Sequence, residues 1–315
     1  MRSSFLIFVL CAFPALGTAQ DRTAVSGPVA GFVFDQKAQA LRPMLGIPGA
    51  AYLGPAVAAQ LEAVAVAPGG ETALAVKQGR LYLVTGLKSE AAAAAIDGAI
   101  ESVDRIAWAP GGGSAAVYSS ASRRGQVLRK LASAPEAGEA LDLSGLPGEV
   151  TALACAGDAL AAGVAAESGG GVYLAAGAAP KLLAAAGRPV SLAVAGRDLY
   201  FADRERGEVW QIRDFSGDAT PLLFAAGLDT PVGVQIAGNR LFVANAGSST
   251  LEIFDLSARA SAGSLPLDTA PAGLESFGAR TVWLLNGAGA AGDPLYILDG
   301  GPSPSVYFVP AGREE

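Results

Sequence analysis

The chain has 315 residues, 51% of them hydrophobic and much of that alanine, with 41 glycines, two cysteines, no histidine and a formal net charge of −7. The absence of histidine excludes Ser-His-Asp and Cys-His catalysis, His-ligated zinc and proximal-His haem. A pI near 4.8 argues against nucleic acid or an anionic lipid surface as a partner.

At the start of the chain, residues 1–19 read as a secretory signal peptide. Arg2 supplies the positive end, Phe5 to Leu16 the apolar stretch, and Gly17-Thr18-Ala19 the small residues of a cleavage site. The apolar stretch is too short to cross a bilayer, and no later one reaches that length without glycine or charge. A lipoprotein reading of Cys11 is disfavoured, because Leu10 stands where a small residue is needed. Cleavage near Ala19 predicts a periplasmic or secreted protein in which residues 20–315 form a single domain. Cys155 is then its only thiol, so no internal disulfide forms. It lies in an apolar strand-like run and reads as a small buried hydrophobe.

Before the first full repeat, residues 31–35 (GFVFD), 41–45 (LRPML) and 49–54 (GAAYLG) form a short series of strands. A unit then recurs. An apolar strand ends at Gly69, Gly111, Gly157, Gly196, Gly238 and Gly278, at intervals of 42, 46, 39, 42 and 40 residues. Each glycine is followed by a second strand, clearest in TALAV, SAAVY, LYFAD, LFVAN and TVWLLN. A third follows, as in RLYLV, EVWQIRD and TLEIFD, and most units close with a weaker fourth, as in KLLAAA and SVYFVPA. Short strands with turn residues between them, at this period, predict an all-β propeller of four-stranded antiparallel blades. The spacing leaves no room for βαβ crossovers.

Six full repeats and the N-terminal series favour seven blades, with six plus an added strand as the alternative. Pairing of N- and C-terminal strands is expected to close the ring. Ser89 to Ile100 contains AAAAAIDGAI and reads as either a helix or an irregular outer strand; the Asp97-Gly98 turn favours the second.

Two columns of equivalent positions carry the chemistry. Three residues before each repeat glycine stand Val66, Trp108, Ala154, Ala193, Gln235 and Glu275. If the innermost strands line a central channel, Trp108, Gln235 and Glu275 are its candidate binding residues. Near the end of the second strand stand Lys77, Ser119, Val164, Asp203, Asn245 and Asn286. The oxygens of Asp203, Asn245 and Asn286 suit Ca²⁺, but Asp and Asn also suit strand-ending turns.

Gly287 to Gly292 matches G-x-G-x-x-G, but Asp293-Pro294 and a strand follow where a helix is required, so it reads as a loop. Arg123, Arg124, Arg129 and Lys130 read as a solvated turn, with contact to an anionic partner as the alternative. Trp210 and Trp283 read as packing between blades.

The segment VANAGSSTLEIFDL (243–256) resembles the YVTN-type propeller repeat, and LYFADRERGEVWQIRD (199–214) is similar to the NHL and SMP-30/gluconolactonase-like repeat. The likeness spans about residues 188–300; before residue 150 only strand order survives. The likeness implies the propeller architecture, and such repeats host enzymes and binding modules alike; with the leader, the expectation is a bacterial, exported, monomeric propeller acting as a ligand- or protein-binding module, with an envelope protein or polysaccharide as partner and no cofactor. It also implies an alternative, a Ca²⁺-dependent hydrolase with Asp203, Asn245 and Asn286 as metal ligands and Glu275 as base. The acid and base carboxylates of that family have no identifiable equivalents in this chain.

Overall fold

The computed structural model describes residues 28–47, 50–177, 179–286 and 294–310. The leader, the G-x-G-x-x-G match and the residues after 310 therefore lie outside the described residues. Seven four-stranded antiparallel sheets are arranged as the blades of a seven-bladed β-propeller. Among the described residues no helix is long and apolar enough to cross a membrane.

The inner strands are Val29–Asp35 in blade 1, Ala63–Val66 in blade 2, Arg105–Trp108 in blade 3, Glu149–Ala156 in blade 4, Pro189–Ala195 in blade 5, Pro231–Ala237 in blade 6 and Glu275–Ser276 in blade 7. In blades 2 to 7 each later strand pairs with the one before it, outward from the channel. The alanine run of blade 2 is extended, at Ala92–Ala95, and pairs with Arg80–Thr85 as an outer strand. The helical alternative fails there because strand pairing outweighs the intrinsic preference of four alanines.

Second strands explain the hydrophobic fraction. Ala73, Leu74, Ala75 and Val76 are all buried, and alternate side chains leave the strand on opposite faces. Ala73 and Ala75 join Phe32 and Leu41 of blade 1, whereas Leu74 and Val76 join Val117 and Leu128 of blade 3. The same division holds in blade 6, where Leu241 and Val243 face blade 5 while Phe242 and Ala244 face blade 7. Every pair of neighbouring blades encloses its own apolar cluster, so the core is a ring of separate cores. Trp283 packs on Phe242 across blades 6 and 7, with ring centroids 5.4 Å apart. Trp210 stacks on Phe201 within blade 5 and meets the cluster shared with blade 4.

Closure differs from the expectation of strand exchange. Among the described residues every sheet is built of strands consecutive in sequence, and none pairs an N-terminal strand with a C-terminal one. Blade 1 is complete without borrowing a strand, because both Ala50–Leu53 and Ala58–Ala59 pair with Ala40–Ile47. Blades 7 and 1 meet face to face instead, through Phe277, Leu284 and Ile297 against Val33 and Met44. Among the described residues a backbone bond joins them, from Phe32 N–H to the Phe277 carbonyl at 2.8 Å. Gly31 permits that approach, since a Cβ there would lie 2.2 Å from the same carbonyl oxygen.

Candidate functional site

The inner strands surround a channel of about 850 Å³ that includes all six residues of the first column. This volume lies within the range of small-molecule sites. Trp108, Gln235 and Glu275 thus share one cavity, as the repeat register predicts.

Two of the three also have a structural task. Trp108 Nε1–H donates to the Ala65 carbonyl of blade 2 at 2.9 Å, and Gln235 Nε2–H donates to the Leu274 carbonyl of blade 7 at 3.1 Å. Similar ties recur around the channel. Thr151 Oγ1–H donates to the Pro189 carbonyl, and the Ser191 hydroxyl accepts from Val234 N–H at 3.1 Å. The Cys155 thiol lies 3.8 Å from the Ala107 carbonyl. It is buried, and burial pushes its pKa up to about 11, which suits packing rather than nucleophilic chemistry. These residues form a seam that fixes the mutual position of inner strands. Thr151 and Ser191 escaped notice in the sequence because single hydroxyls in apolar strands carry no repeat signature.

Glu275 is different. Its side chain is open to the channel, and among the described residues it has no hydrogen-bond or ion-pair partner. The channel walls around it desolvate the carboxylate in part, which raises its pKa above the ordinary value. Such a group can hold a proton more readily than a surface glutamate, or gain from a cation brought to it.

The second column is not gathered at one site. Asp203 is fully buried at the end of the second strand of blade 5, where its carboxylate accepts the backbone N–H groups of Gly187 at 2.7 Å, Arg188 at 2.9 Å, Glu205 at 3.2 Å and Arg206 at 3.3 Å. Asn286 bonds within blade 7, donating to the Pro294 carbonyl and accepting from Tyr296 N–H. Asn245 is buried in blade 6 and donates to the Thr250 hydroxyl, with its Oδ1 unpartnered among the described residues. None of the three lines the channel. A carboxylate that already accepts four backbone bonds has little capacity left for a metal, so these residues do not fit a calcium centre. Among the described residues no cluster of three or more Cys, Asp or Glu side chains is arranged to hold a metal ion.

The basic turn is engaged locally. Arg123 donates to the Leu146 carbonyl at 2.7 Å, Arg129 pairs with Asp158, and Lys130 pairs with Glu136 at 2.6 Å.

No family model matches the chain, and no curated protein matches it. Solved structures do match, 1207 chains in all, too many for likeness of shape to indicate an activity. One is a chain in the crystal structure of a nidogen/laminin complex, 14% identical, aligned over 77% of this chain and 96% of that one with a TM-score of 0.50. Another is the computationally designed Ika8 protein, 10% identical, aligned over 91% and 98% with a TM-score of 0.53. What the three chains share is the fold.

Proposed function

We propose that the protein is an exported binding module whose ligand or partner engages the central channel. The observation that carries this reading is Glu275, a carboxylate that has no partner among the described residues and stands in a channel whose inner strands carry mostly small or apolar side chains. A partly desolvated charge without compensation is unfavourable to a fold, and a ligand group that compensates it gains what the fold forgoes. A propeller chain in a structure of a protein complex is compatible with an interaction role. The leader-like residues 1–19 and the YVTN- and NHL-like repeats support export from a bacterial cell, with an envelope protein or polysaccharide as partner. The hydrolase alternative is disfavoured by the backbone bonds that already occupy the Asp203 carboxylate and by its absence from the channel wall that carries Glu275.

The test uses the mature chain, immobilised and exposed to periplasmic extract, beside a Glu275→Arg variant that reverses the channel charge. A partner held by the native protein and lost by the variant supports the reading. No retention, or equal retention by both, overturns it. Thermal unfolding in millimolar Ca²⁺ runs in parallel, and a stabilisation abolished by Asp203→Ala would restore the hydrolase alternative.

A further inference from the structure

Side-chain donors on the inner strands of blades 3, 4 and 6 are spent on carbonyls of an adjoining blade. Trp108 Nε1–H goes to Ala65, Thr151 Oγ1–H to Pro189 and Gln235 Nε2–H to Leu274. Ala65 immediately precedes Val66, and Leu274 immediately precedes Glu275. Each of these two ties therefore joins neighbouring members of the column that stands three residues before the repeat glycines. Strand register agrees, since the column residue takes the same place in its hairpin in blades 2 to 6, as in the pairs Val66 with Ala73, Ala154 with Ala161 and Gln235 with Phe242. The column is thus a ring of side chains at one level of the channel.

This ring has two unlike sides. On blades 6 and 7 it offers acceptors. Glu275 is its one ionisable residue and has no hydrogen bond or ion pair among the described residues. Beside it, Gln235 can face the Leu274 carbonyl only with its nitrogen, so that bond fixes which way the amide points and leaves Oε1 as its acceptor. On blades 2 to 5 the ring is formed by Val66, Ala154 and Ala193 and by the Trp108 indole, whose N–H is already engaged. Cationic groups that border the channel belong to other levels. Arg105 begins the strand that Trp108 ends and is paired with Glu149, and Arg280 lies in the turn beyond Gly278.

We infer that this level of the channel takes a small organic ammonium ion, with its N–H groups on Glu275 and Gln235 and its apolar body lying across the channel against blades 2 to 5. An ammonium brings donors and no acceptor, which matches what the fold leaves open, and its charge makes the bond to Glu275 a strong one. An anion would meet like charge there, and a neutral alcohol would leave the carboxylate uncompensated. A calcium ion is a poor match, because it seeks about six to eight oxygen ligands and the facing side of the ring is hydrocarbon. That side suits the alkyl body, and the Trp108 ring adds aromatic surface beside a cation. This inference rests on the channel-binding reading and adds the ligand class to it.

The experiment measures calorimetric affinity of the mature protein, at neutral pH, for hexylamine, hexanol, hexanoate and ammonium chloride. The expected result is binding of hexylamine about tenfold tighter, or more, than of each of the other three. Glu275→Gln and Glu275→Ala, each checked for native circular dichroism, should erase the advantage of hexylamine over hexanol. Equal affinity for hexylamine, hexanol and hexanoate overturns the cationic class while leaving the channel as a binding site, and this series needs no variant. Ammonium bound as tightly as hexylamine overturns the role of the apolar side. A preference for hexylamine that survives both substitutions places the cation away from Glu275 and overturns the site. No binding of any probe overturns the ligand class, and partner retention then decides the broader reading separately.

Discussion

Two of the blade interfaces solve the same problem by different means. Between blades 5 and 6 a side chain forms the seam, with the Ser191 hydroxyl accepting from the Val234 backbone. Between blades 7 and 1 the backbones meet directly, and the residue that allows it is one with no side chain, Gly31. A hydroxyl seam tolerates small adjustments, because a serine can rotate and water can replace it. A backbone seam does not, because its geometry is set by two strands at once. The closing interface is therefore the less forgiving of the two, although both enclose apolar clusters of similar composition.

Gly31→Ala breaks this comparison most severely. The added Cβ would meet the Phe277 carbonyl and ring, neither of which can move without disturbing the cluster behind it. A loss of about 3 kcal/mol is expected, read as a lower urea midpoint. Stability within about 0.5 kcal/mol of the native protein would mean that closure does not depend on the backbone approach. Ser191→Ala should cost less, about 1 kcal/mol, because one hydrogen bond is removed and a small side chain is kept. If Ser191→Ala proves as harmful as Gly31→Ala, the two seams are equivalent after all.

This asymmetry also marks how far the sequence could be read. The blades were legible because a strand ending at glycine recurs near every 42 residues and each second strand is apolar on both faces. The extended state of Ala92–Ala95 was legible only through its place in the repeat, since its local preference points the other way. Closure was not legible. Strand exchange and face-to-face packing draw on the same apolar terminal strands, and only three-dimensional pairing separates them. At the candidate site, Trp108, Gln235 and Glu275 line one channel, in keeping with their shared place in the repeat. Asp203 was misleading because a carboxylate that caps a loop and one that binds a metal have the same signature at a strand end.

The smallest expected effect tests the opposite kind of interior. The blade interfaces are packed with apolar side chains, while the channel is open, and Glu275 stands in the channel with its carboxylate partly desolvated. Because desolvation raises its pKa, the folded chain holds this proton more tightly than the unfolded chain does. The stabilising contribution is complete below the ordinary carboxylate value, about 4.3, and is lost as pH rises through the raised value. Glutamine keeps the shape and cannot ionise, so Glu275→Gln should unfold at a higher temperature than the native protein at neutral pH. The gain should be about 1–2 °C, held low by solvent in the channel. It should vanish on acidification below the ordinary value, where both side chains are neutral. Melting curves across this range decide the point: a gain independent of pH assigns the effect to packing, and a loss at neutral pH means that the ionised carboxylate is already stabilised where it stands.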